Sequence, residues 1–103
     1  MAITASLLYR GNAVAGTNTT LYSGTSNYVV TNIVATNTTT SGLYFTINLA
    51  ISGTNYAVVN SGILSSNTST FIDLKQYLPS GQLITGYASA AGVVFHISGV
   101  TGV

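Results

Sequence analysis

The sequence predicts an all-β chain: an antiparallel, jelly-roll-like β-sandwich of about eight strands in a single domain over residues 1–103. Three observations predict it. Leu43, Phe45, Ile47, Leu49 and Ile51 alternate with Tyr44, Thr46, Asn48 and Ala50. Successive strand residues point to opposite faces, so this stretch has one apolar face that needs a second layer and one wettable face. Turn signals recur about every 8–12 residues, the spacing of short sandwich strands. No stretch carries the apolar period of an amphipathic helix.

The elements follow in order. Residues 1–10 supply a first edge strand, Ile3–Arg10, or an N-terminal arm that pairs with a neighbouring chain. In it Ile3, Ala5 and Leu7 point one way, and Ser6 and Leu8 the other. A loop from Gly11 to Thr19 leads to a short strand, Thr20–Ser23. Asn27–Thr36 is rich in β-branched residues and apolar on both faces, with Val29, Ile33 and Ala35 opposing Tyr28, Val30 and Val34. A polar turn, Asn37–Gly42, then makes a hairpin with Leu43–Ile51. Ser52-Gly53-Thr54 is the next turn, and two β-like pieces, Asn55–Asn60 and Ser61–Ser65, meet at a bulge or kink near Gly62. In Thr70–Lys75 one face holds Thr70, Ile72 and Leu74, and the other Phe71, Asp73 and Lys75. Gln76–Leu78 makes a helical or extended turn, and Leu78-Pro79-Ser80-Gly81 suits a type I turn. Gln82–Ser89 and Val93–Ser98 are the last strands, with Val93, Phe95 and Ile97 facing in and His96 facing out. Val100–Val103 is a short tail.

Charged residues make up 3% of the chain, and net charge is +1. Soluble domains usually carry about 25%. Thr, Ser, Asn and Gly supply the polarity instead. No basic patch exists to hold nucleic acid. No apolar run approaches the roughly 20 residues of a membrane helix. The first residues lack the basic and long apolar regions of a signal peptide. One acid, Asp73, and one imidazole, His96, furnish neither paired-carboxylate catalysis nor a zinc ligand set. No Gly-x-Ser-x-Gly elbow and no phosphate-binding loop occurs. The expectation is a non-enzyme with no catalytic residues, metal or cofactor.

Charge repulsion, the usual protection against association, is almost missing. Strand Asn27–Thr36 would expose Tyr28, Val30 and Val34 as an apolar stripe, which marks an interaction site. The N-terminal strand offers an edge, and Arg10 is the one guanidinium. The expected contact residues are Ile3, Leu7, Tyr9, Arg10, Tyr28, Val30 and Val34. The seven tyrosines add amphipathic area of the kind favoured at interfaces. A homo-oligomer is expected.

Several stretches resemble a pattern common in small structural proteins of tailed bacteriophages. They are Leu21-Tyr22, Tyr28–Thr38, Ile72-Asp73-Leu74, Leu78–Ile84 and Phe95–Val100. The chain departs from the pattern at Ser23-Gly24-Thr25, where such proteins often have Pro-Ala-Gly. The resemblance covers roughly residues 20–100. It implies a β-sandwich virion component without a catalytic signature: a head decoration or cement protein, a head fibre, or a small tail or adhesin module. The capsid surface is the expected location, ahead of the tail. Head decoration or cement proteins bind the major capsid protein, or another virion protein, and commonly sit on local three-fold axes. That favours a trimer over a dimer. The alternative is a tail or fibre module that recognises host-surface carbohydrate.

Overall fold

The computed structural model describes residues 4–24 and 26–101, and among them every regular element is a strand. The strands are β1 (Thr4–Asn12), β2 (Thr19–Ser23), β3 (Tyr28–Asn37), β4 (Leu43–Ile51), β5 (Thr54–Leu64), β6 (Ser69–Leu78), β7 (Leu83–Ala88) and β8 (Val93–Thr101). They form two four-stranded sheets. Sheet A has the order β1-β8-β3-β6, and sheet B the order β2-β7-β4-β5. All ladders within them are antiparallel. Only β4 and β5 are joined as a hairpin; every other connection crosses between the sheets. This is the double Greek key of a jelly roll.

The two apolar faces meet in one core. Phe45 of β4 and Phe95 of β8 lie with ring centroids 5.9 Å apart, tying the middle of sheet B to the middle of sheet A. Ile33, Ile47, Leu64, Leu78, Ile84, Ile97, Val30 and Val93 are buried around them. The alternation read from β4 places Phe45 and Ile47 inside, with Leu49 half-buried. Ile51 is 44% exposed instead of buried. It sits at the hairpin tip, where Ser52 and Gly53 both have positive φ (49° and 84°). That is the two-residue turn whose twist suits a hairpin.

The expected hairpin between β3 and β4 does not form. They lie in different sheets, and residues 38–42 carry the chain across the sandwich. Asn37 holds this corner and is completely buried. Its Nδ2 donates to the carbonyls of Ser41 (2.7 Å), Leu64 (3.2 Å) and Ser65 (3.3 Å). Its Oδ1 accepts from the Thr39 backbone N–H (2.9 Å) and hydroxyl (2.7 Å). A buried amide is tolerated because its polar groups are matched in this way. Across the opposite connection, Ala15 bridges Ala88, and Ala13 N–H donates to Val93 O at 2.8 Å.

Three other expectations shift. Gln76–Leu78 continues β6 as extended chain, and Val100 belongs to β8. The proline turn is displaced by one residue: Gln82 N–H donates to Pro79 O at 3.1 Å, and Gly81 has φ 88°. A positive φ at the third position is the type II arrangement. The kink expected near Gly62 is present, carried by Ser61 at φ 52°.

Candidate interaction surface

The outer face of sheet A is built from cross-strand rows. Antiparallel register places Arg10 beside His96, His96 beside Val34, and Val34 beside Phe71. A second row runs Ala5, Val100, Val29, Tyr77. Between them Leu7, Ser98, Asn32 and Asp73 form a third. Phe71 is 73% exposed, Tyr77 57% and Leu7 54%. The chain's charged residues, Arg10, Asp73 and Lys75, all belong to this sheet, as does its histidine. Arg10 Nε donates to His96 Nδ1 at 3.0 Å, which fixes the imidazole as acceptor at that nitrogen.

The register brings Leu7, Arg10 and Val34 together on this face and separates Tyr9, Tyr28 and Val30 from it. Val30 is fully buried. A bulge between Val30 and Asn32 changes the side-chain phase along β3, so Val30 turns into the core while Val34 stays outside. This overturns the expected stripe of Tyr28, Val30 and Val34. Tyr28 packs against the core instead, with its ring edge-on to Tyr22 at 5.6 Å and 87°. A second bulge, between Leu7 and Tyr9, does the same to β1. Leu8 is buried, and Tyr9 packs against the core with its hydroxyl donating to Asn12 O at 2.9 Å. Ile3 lies outside the described residues. Phe71 and Tyr77, the most exposed aromatic side chains of this face, are not among the expected contact residues. The alternation of β6 carried the signal, since it puts Phe71 outside with Asp73 and Lys75.

Burial raises the Tyr22 phenol to about 12, helped by hydrogen bonding to Tyr28 and by the charge the Tyr28 phenol would carry.

The outer face of sheet B adds a polar network to its exposed apolar residues. Asn48 Nδ2 donates to Asn18 Oδ1 and to Thr85 Oγ1, both at 3.3 Å. Thr85 Oγ1 donates to Asn55 Oδ1 at 2.8 Å, and Thr46 Oγ1 accepts from Ser61 N–H at 3.1 Å. Asn48, Thr85 and Thr46 are buried, so the polar residues of the face read as wettable in β4 are closed to solvent, while Tyr44 on that face stays 53% exposed beside Ile63.

No family model matches the chain, and no curated protein does. Among solved structures it is similar to a chain of the T13 viral particle of IBDV, with a TM-score of 0.62 at 14% identity. That likeness covers 97% of this chain and 30% of that one. A chain of the infectious bursal disease virus Gx strain aligns at a TM-score of 0.43 and 13% identity, over 95% of this chain and 28% of that one. The chain thus spans less than a third of the length of the chains it matches. At these identities the first likeness is one of fold: the same sandwich, present in the neighbour as part of a larger chain.

Proposed function

We propose that this protein is a non-enzymatic virion structural component, a decoration or cement subunit that binds across neighbouring capsid subunits. The observation that carries the reading is the outer face of sheet A. It gathers Leu7, Arg10, His96 and Val34 on a rigid sheet and adds exposed aromatic area beside them. Fold likeness to a chain of a viral particle supports the same reading by analogy. The mechanism is mechanical. Each bound copy adds interface area across a junction, and that area must be lost before the junction opens.

The test is binding to the parent capsid. Purified chain mixed with capsids lacking it should co-sediment, and Leu7→Ser combined with Val34→Thr should weaken binding at least tenfold. Hundreds of copies per particle support decoration. A handful would move the protein to the tail, and none would remove the virion reading. The carbohydrate alternative draws less from the geometry, because the Asn48 amide and the Thr85 hydroxyl are already committed to each other and to Asn18 and Asn55.

A further inference from the structure

Strand β6 is a free edge of sheet A. It is ten residues long, and its side chains alternate regularly between exposed and half-buried from Ser69 to Lys75. The other edges are shorter or more interrupted: β2 has five residues, β1 is bulged after Leu7, and β5 is kinked at Ser61. Such bulges and short edges are how sheets avoid pairing. The β3–β6 ladder also shifts register between Asp73 and Gln76, but the side chains of β6 keep their alternation up to Lys75.

Around Leu74 the sequence of β6 complements itself in reverse. If two copies run antiparallel with Leu74 opposite Leu74, Asp73 faces Lys75, Ile72 faces Gln76, and Phe71 faces Tyr77. Each pair occurs twice by symmetry. Asp73, Lys75, Phe71 and Tyr77 then lie on the same outer face, where directly opposed side chains of opposite charge, or aromatic pairs, stabilise a ladder. Sliding the axis to Asp73 or to Lys75 sets like charges against each other. The Leu74 register alone satisfies both charges. It uses the only acid and the only lysine in the chain.

We propose that β6 pairs with β6 of a second copy about a two-fold axis at Leu74, making one continuous sheet from the two copies of sheet A. The contact is isologous and closes on itself, so it gives a dimer and not a fibre. It also satisfies the backbone groups of the edge, which are otherwise left to water. A lone lysine on an edge strand blunts it. Here Asp73 of the facing copy turns the same lysine into an attachment point. This contact does not depend on any virion role. It replaces the three-fold expectation with a two-fold one as the pairwise contact, and it leaves Leu7, Arg10 and Val34 free for another partner.

The test is charge reversal, read by sedimentation velocity across the micromolar range. The wild-type chain should dimerise. Asp73→Lys sets lysine against lysine at both sites, and Lys75→Asp sets aspartate against aspartate; each should weaken the dimer roughly tenfold or more. Mixing the two variants should restore association, because one copy then presents lysine at both positions and the other presents aspartate at both. The double variant, carrying both reversals, should dimerise with itself as the wild type does. Unchanged far-UV circular dichroism checks that each variant is folded. A wild-type chain that stays monomeric, single variants as tightly dimeric as wild type, or a mixture that fails to associate would each overturn the proposal.

Discussion

Gly99, near the end of β8, has no room for a side chain. A Cβ there would stand 2.5 Å from the backbone carbonyl oxygen of Val29, an obstacle that no rotamer change removes. Gly99→Ala should therefore lower stability by about 1–3 kcal/mol in urea denaturation, the range of an overpacked core. Gly86 meets the carbonyl of Thr46 at 2.7 Å and should behave alike. Tyr22 gives a pH-dependent expectation. Its folded-state value is about 12 against an ordinary 10.0. Below pH 10 both folded and unfolded chains keep the proton, and its contribution is whole. Above that, the unfolded chain loses the proton first, so stability falls as pH rises toward 12. Tyr22→Phe should flatten that part of a stability–pH curve. At this scale the sequence was readable wherever strands alternate without interruption. Val93, Phe95 and Ile97 point in and His96 out, as periodicity says. Val30 and Tyr9 were not readable. One extra residue in a ladder inverts every side chain beyond it, and a bulge leaves no mark in an apolar pattern.

Elements divide in the same way. Leu43–Ile51 has the bounds read from its alternation, and its hairpin with β5 turns at Ser52-Gly53. Asn tolerates the left-handed region better than Ser does. Ser52→Asn should raise stability by a few tenths of a kcal/mol, and Gly53→Ala should lower it by about 1 kcal/mol. Both are measurable by thermal melting. The partner of β4 was misread for a physical reason. A six-residue polar turn serves equally as a hairpin loop or as a corner between layers, and the difference lies in Asn37, whose carbonyl acceptors arrive from residues far along the chain. Asn37→Ala should cost at least about 2 kcal/mol, since it removes the buried amide's three donated and two accepted hydrogen bonds. The same substitution at exposed Asn12 should cost little.

For the whole molecule, the all-β class and the sandwich were legible from composition and period, because both depend on counting. Strand order was not, since every strand but β5 pairs with one distant in sequence. The candidate surface lay between these cases: the sequence indicated an apolar outer face on β3, and folding supplied that face with partly different residues. Phe45→Ala should cost about 3–5 kcal/mol, as it removes the ring that joins the two layers. A loss under about 1 kcal/mol would place the centre of the core elsewhere. The crossing connections also bear on how the protein carries load. In a laminate whose plies are merely glued, a crack runs along the seam and one ply peels away. Here the chain passes from ply to ply at every connection but one, so the seam is stitched along both ends. Pulling the sheets apart must draw the stitches taut before the seam opens. Resistance to delamination thus follows from the order in which the strands are threaded, independently of how strongly any one pair is held.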